Sequence, residues 1–145
     1  MTKLLRNSSR PAITVQETAT VEAAVKTMVK ERIGAVIVLR GNEMAGIFSE
    51  RDVLDKIVLA RRDPATTPVF AVMTSPVVAA PGNTEDAEAA ETMTEHHIRH
   101  LPILSETQRV VGMVSLRHVM QERIADLEHE VNALEAYLGY DGVAG

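Results

Sequence analysis

The sequence has no cysteine, which removes disulfide frameworks and thiolate metal sites from consideration. It has no tryptophan, two tyrosines and two phenylalanines, so its core must be aliphatic, built from Val, Ile, Leu, Ala and Met. The same scarcity leaves few rings for stacking single-stranded nucleic acid. Basic residues are in the minority, 15 Lys and Arg against 20 Asp and Glu, for a net charge of −5. A general nucleic-acid or acidic-membrane binder needs a basic face; only a local basic cluster is compatible with this balance. Long apolar runs are missing too. Ala35 to Leu39 is as long as any becomes, far below the roughly 20 residues of a membrane-spanning helix. Met1 to Arg10 carries two adjacent leucines between basic and polar residues and lacks the apolar stretch of a signal peptide. The expectation is a soluble, cytoplasmic protein.

What is present suffices for one compact domain or two small halves sharing a core: 145 residues, 46% of them hydrophobic. Pro11 to Val15 reads as a short strand and Thr20 as a helix N-cap. Val21, Ala24, Val25, Met28 and Val29 then share one helical face. Gly34 is expected to stop that helix. Ala35 to Leu39 is a β-branched strand, Gly41-Asn42 a turn, and Met44 to Phe48 the second strand of a hairpin. A helix from about Arg51 to Arg62 follows, and Pro64 and Pro68 punctuate a linker. The order then recurs. Pro76 to Ala80 is a strand, and Asn83 or Thr84 caps a helix whose first turn holds Glu85 and Asp86, where acids suit the helix dipole. Leu101 to Leu104 and Val110 to Val114 are strands around a turn at Ser105 to Gln108. A last helix starts near Leu116.

The recurrence extends to the residues themselves. Thr27-Met28 returns as Thr92-Met93, and Ile33 to Leu39 aligns with Ile98 to Leu104, at an offset of 65. Gly46-Ile47-Phe48-Ser49-Glu50-Arg51-Asp52-Val53 returns as Gly112-Met113-Val114-Ser115-Leu116-Arg117-His118-Val119, at an offset of 66. Each unit reads β-α-β-β-α. A unit this small cannot bury its sheet alone, so two should pack together with pseudo-two-fold symmetry. The fold class expected is therefore α/β in the α+β sense: a tandem repeat of two such units with a long C-terminal helix.

Ser49-Glu50-Arg51-Asp52 falls where a strand turns into a helix. Free N–H groups and the positive dipole end make such a place an anion site. A carboxylate there can accept from both vicinal hydroxyls of a ribose, and Arg51 is a charge-assisted donor for phosphate. An equally concrete alternative is structural: Ser-x-x-Asp is a capping box, with Asp52 reaching back to the Ser49 backbone. In the second copy His118 stands in place of the acid. A neutral imidazole has one acceptor nitrogen and cannot hold both hydroxyls, so the two copies are expected to be unequal, with Asp52 the better suited to a vicinal diol.

Residues 8 to 122 resemble a CBS-domain pair, the tandem module named after cystathionine β-synthase. The carriers are Val72-Met73-Thr74-Ser75-Pro76-Val77-Val78, Ile98-Arg99-His100-Leu101-Pro102-Ile103 and the doubled Gly-x-x-Ser segment. The resemblance implies a disc-like module with two clefts that take adenosyl compounds: AMP, ADP, ATP, S-adenosylmethionine or NAD. It implies ribose contacts from Asp52, Ser49 and Ser115, and phosphate contacts from Arg51, Arg99, His100, Arg117 and His118. It also implies an adenine slot from Ile13, Thr14, Val15, Ala35 and Val36, with Met73, Val78, Leu101 and Pro102 as the other half's counterparts. The corresponding divisions are a tail at 1–10, repeat 1 with its linker at 11–68, repeat 2 at 69–122, a helical extension at 123–138 and a tail at 139–145.

His96 and His100 have i,i+4 spacing, but the repeat ends the helix near His97, and two histidines without a third ligand make a poor zinc site; no metal is expected. Met120, Ile124, Leu127, Val131, Leu134 and Leu138 alternate spacings of four and three, an a/d seam that can bury against a partner subunit or back on the module's own sheet; a homodimer is expected. No nucleophile with a placed base is evident. The function expected is a non-catalytic adenine-nucleotide sensor, read by an unknown downstream protein; the alternative is a structural dimerisation module with a degenerate, ligand-free cleft.

Overall fold

The computed structural model describes residues 10–139. The expected tails, apart from Arg10 and Gly139, lie outside the described residues. The first half runs β1 (Thr14–Gln16), α1 (Val21–Glu31), β2 (Ala35–Arg40), β3 (Glu43–Ser49) and α2 (Glu50–Asp52), which continues as a π-helical turn over Val53–Val58. After a single 3₁₀ turn, Val69–Ala71, the second half runs β4 (Ala80–Pro81), α3 (Asp86–Glu95), β5 (His100–Leu104), β6 (Val110–Ser115) and α4 (Leu116–Leu138). The mixed α+β fold and its long terminal helix are as the sequence leads one to expect.

Each half makes one three-stranded sheet, ordered β1-β2-β3 and β4-β5-β6. The first strand is parallel to the second, and the second antiparallel to the third. Registers correspond: Ala35 opposes Ser49 as His100 opposes Ser115, and a bulge falls between Val38 and Leu39 as between Ile103 and Leu104. The Gly-x-x-Ser segment therefore ends the third strand of each sheet with its serine capping the next helix.

Several local expectations shift. The opening strands are shorter and later than 11–15 and 76–80, because only Thr14–Gln16 and Ala80–Pro81 find ladder partners. Thr20 does cap α1, accepting from the Ala23 N–H at 3.1 Å. Its counterpart is Glu85, without a side-chain cap bond, and not Asn83 or Thr84. Gly34 does not end α1. Arg32 does, with φ 55°, and His97 repeats that left-handed turn at 54° after α3. Gly34 instead leaves room for its neighbours: a Cβ there would meet the Glu50 carboxylate and come within 3.2 Å of the His100 ring.

The cores are aliphatic with one ring added. Val21, Ala24, Met28, Val36, Val38, Phe48, Ile57, Val69 and Val72 fill the first; Ala80, Ala89, Met93, Leu101, Ile103, Val114 and Val119 fill the second. Each full burial of a side chain such as Val36 or Leu101 stabilises by about 1.5–3 kcal/mol. The halves then cross over. Thr74 exchanges backbone hydrogen bonds with Ile47, and Arg10 with Met113, so the segment leading into each repeat lies on the third strand of the other. Gly46 makes the first crossing possible, since a Cβ there would strike Met73 and the Thr74 carbonyl.

Candidate functional site

A cleft of about 780 Å³ opens where the repeats meet. Ser115, Leu116, Arg117 and His118 supply its α4 wall, Arg10, Pro11 and Ile13 the leading segment of repeat 1, Arg32 to Gly34 the end of α1, and Arg99 and His100 the start of β5. The α4 wall thus comes from repeat 2 and the leading segment from repeat 1, a direct result of the Arg10–Met113 crossing. Four arginines (Arg10, Arg32, Arg99, Arg117) face one carboxylate, Glu50. In a chain of net charge −5, this is a concentrated positive field at the N-terminus of a 23-residue helix, and both the arginines and the free N–H groups there attract anions. Ser115 caps that helix, accepting from the His118 N–H at 3.1 Å. His118 Nε2 lies 3.6 Å from Glu122 Oε1. The His100 imidazole is held below its ordinary pKa, chiefly by burial and further by the neighbouring Arg99; Glu50 pulls the other way.

The position related by the repeat is built differently. Ser49 and Asp52 form a complete capping box, the structural alternative for this motif. Asp52 Oδ2 accepts from the Ser49 N–H at 2.9 Å and the Ser49 hydroxyl at 3.2 Å. Asp52 Oδ1 accepts from the Thr74 hydroxyl at 3.0 Å and pairs with Lys56 Nζ at 2.9 Å. Lys56 also donates to the Val72 carbonyl at 2.9 Å and to Thr74 Oγ1 at 3.3 Å. Asp52 is 6% exposed. Arg51 leans on Asp55 at 3.7 Å across the exposed helix surface, a pair of small energetic value.

Of the residues singled out in the sequence, Ser115, Arg117, His118, Arg99, His100 and Ile13 are brought together in the open cleft. Ser49, Asp52 and Arg51 are not among its walls. Ala35, Val36, Leu101 and Pro102 are buried, and Val36 and Leu101 belong to the two cores. Val15 and Met73 pack on the edge of the first core and Val78 on that of the second, while Thr14 is exposed on β1. His96 and His100 lie on different elements, and no group of three or more His, Asp or Glu able to hold a metal occurs among the described residues. Sequence reasoning missed Arg10, Arg32, Glu50 and Lys56. Lys56 carried a readable signal, the i,i+4 spacing from Asp52; Arg10 and Arg32 reach the cleft only through the chain crossing and the left-handed turn.

The CBS domain family matches the chain twice, over residues 5–59 and 69–125, and the chain belongs to that family. A CBS pair is a regulatory module. The chain is 33% identical over 124 residues to the mitochondrial CBS domain-containing protein CBSX3 of Arabidopsis thaliana, covering 82% of this chain but 60% of that relative's length. Among solved structures it is similar to a CBS-domain protein from Burkholderia ambifaria MC40-6, with 33% identity, a TM-score of 0.79 and coverage of 87% of this chain and 96% of that one. It is also similar to a CBS domain protein from Pyrobaculum aerophilum complexed with AMP, with 28% identity, a TM-score of 0.77 and coverage of 87% and 97%. Among the described residues no helix is long and apolar enough to cross a membrane.

Proposed function

We propose that the protein is a non-catalytic sensor of a phosphorylated adenosyl compound of the AMP, ADP, ATP or NAD class, bound in the Ser115–His118 cleft. The observation that carries this is the set of four arginines around a cleft of about 780 Å³ at the start of α4, in an otherwise acidic chain. The AMP-bound relative from Pyrobaculum aerophilum supports the adenosyl class. His118 cannot accept from both ribose hydroxyls, so the grip falls on the phosphates, where a charge-assisted hydrogen bond is worth about 1.5–3 kcal/mol. The affinity order expected is ATP, then ADP, then AMP, then adenosine. A ligand at 100 times its dissociation constant should stabilise the fold by about 2.7 kcal/mol, visible as a thermal shift. Adenosine binding as tightly as ATP would overturn the phosphate grip. No shift with any nucleotide would leave a structural module with ligand-free clefts.

A second copy of the chain covers the C-terminal helix in this reading. Ile124, Leu127, Val131, Leu134 and Leu138 are each more than half exposed, an apolar seam that one chain leaves uncovered. In a parallel pair Ile124, Val131 and Leu138 take a positions, and Leu127 and Leu134 take d, a combination that suits two strands. Arg123 of one copy then faces Glu128 of the other, partly offset by Glu130 against Glu135. An antiparallel pair would instead stack Glu128 on Glu128 and Glu130 on Glu130. The chain has no native cysteine, so Leu138→Cys should give a disulfide-linked dimer on oxidation. A sedimenting monomer would remove the dimer, and a dimer that fails to cross-link would remove the parallel arrangement. Nucleotide binding would then change how halves or subunits pack, and a downstream protein would read the change.

A further inference from the structure

The two positions related by the repeat differ in whether their key side chain has anything left to offer. A carboxylate has two oxygens with about four acceptor sites. At Asp52 four donors are already placed: the Ser49 N–H and hydroxyl on Oδ2, and the Thr74 hydroxyl and Lys56 ammonium on Oδ1. The first three come from the capping box and from the chain crossing that fixes Thr74 to Ile47. Lys56 is the exception. Its side chain is 38% exposed while that of Asp52 is 8% exposed, so of the pair it is Lys56 that reaches solvent. It is tied across the crossing as well, donating to the Val72 carbonyl and Thr74 hydroxyl.

We infer that Lys56 is a resident occupant of the Asp52 position, closing it to ribose and confining nucleotide to the arginine-lined cleft. The inference rests on the reading that the protein takes an adenosyl ligand, and it deepens that reading by naming the residue that keeps such a ligand from the Asp52 position. Withdrawing the ammonium returns an acceptor site to a buried acid and uncovers the approach to it. The class of ligand admitted is a neutral adenosine moiety, one of whose ribose hydroxyls the freed Asp52 oxygen can accept. The second repeat has no such plug. There an acid, Glu122, occupies the place of Lys56 and lies beside His118.

The test is a count of bound ligand per chain by equilibrium dialysis, on full-length wild type and Lys56→Met, with ATP and adenosine as probes. The expected result is one ATP per wild-type chain. Lys56→Met should take a second equivalent and bind adenosine at least tenfold more tightly than wild type does. Lys56→Arg, which keeps a cation of sufficient reach, should remain at one. If Lys56→Met melts below the assay temperature, Lys56→Gln, whose shorter polar chain does not reach, carries the same expectation. One ATP and unchanged adenosine affinity in a folded Lys56→Met or Lys56→Gln protein would overturn the plug while leaving the nucleotide reading intact, as would two ATP per wild-type chain. Absence of binding to every version would overturn the nucleotide reading and this inference with it.

Discussion

The two repeats share a backbone and oppose each other in charge. Strand registers, bulges and the left-handed residue after the first helix coincide, and each serine caps the following helix. On that common frame Asp52 with Lys56 becomes His118 with Glu122, both i,i+4 pairs with acid and base exchanged. Thr74, which donates to Asp52, lies at the chain crossing that Arg10 occupies in the other half. Asp52 thereby finds its partners around its own capping box, whereas the His118 position opens on a cleft lined by arginines of both halves. The shared backbone puts a first-turn side chain at each position, and a handful of first-turn and crossing residues give the two positions opposite charge.

The largest expected effect comes from removing the open side's field. Arg99→Ala combined with Arg117→Ala deletes two phosphate donors and should weaken ATP binding by roughly 100-fold or more, if each is worth about 1.5–3 kcal/mol; isothermal titration measures it directly. Arg51→Ala is the matched probe on the other side, where Asp55 holds the guanidinium at 3.7 Å. An equal loss there would erase the proposed difference between the halves. Asp52→Ala comes next. It removes the acid of the capping box and leaves the Lys56 ammonium without its partner. Because Lys56 is partly exposed, the expected destabilisation is moderate, about 2 kcal/mol, measured by urea denaturation. A folded Asp52→Ala protein that has lost ATP binding would return the ribose to Asp52.

A third contrast lies in the cores. Asp86 is 1% exposed, and neither carboxylate oxygen finds a hydrogen-bond partner. Repeat 1 places Val21, fully buried, at the corresponding first turn of α1. An unpaired buried polar group costs about 1–3 kcal/mol, and the favourable dipole interaction of an acid at a helix start returns only about 0.3–1 kcal/mol. Asp86→Val should therefore stabilise the protein by about 1 kcal/mol, raising Tm by roughly 3 °C. Unchanged or lowered stability would mean that Asp86 is not a mere mismatch in the second core.

Much of this was legible in the residues. The repeat announced the two sheets, since Ile33 to Leu39 and Ile98 to Leu104 match in apolar residues at the first and the last four positions, and Thr20 was visible as a cap because its hydroxyl needs only local geometry. Ser49 and Asp52 could be read two ways because a capping box and a diol site use the same atoms; only the distances to Thr74 and Lys56 show those atoms occupied. Gly34 looked like a helix stop, yet its lack of a side chain serves Glu50 and His100, which are distant in sequence. Arg10 and Arg32 could not be assigned from their neighbours, because a backbone crossing and a left-handed turn bring them to the cleft.

The smallest expected effect concerns His100, which shares the cleft with Glu50 at the start of α2 and with Arg99 just before its own strand. Burial lowers its pKa below the ordinary 6.5. Above that value the side chain is neutral in both the folded and unfolded states and contributes no pH dependence. Below it the unfolded chain takes up the proton first, so stability falls as pH drops toward the folded-state pKa, with a slope of at most about 1.4 kcal/mol per pH unit. Ile13, Arg99 and the carboxylates elsewhere are common to both proteins when wild type is compared with His100→Asn. The difference between their stability profiles should thus be constant well above about pH 6.5 and change with pH below it. Bound ATP should act oppositely, because its phosphates favour the imidazolium. ATP affinity is accordingly expected to rise in wild type as pH falls into the imidazole range and the ligand draws a proton onto the site, and to rise less in His100→Asn. Equal slopes in the two proteins would remove His100 from the anion cluster and leave the arginines to account for it alone.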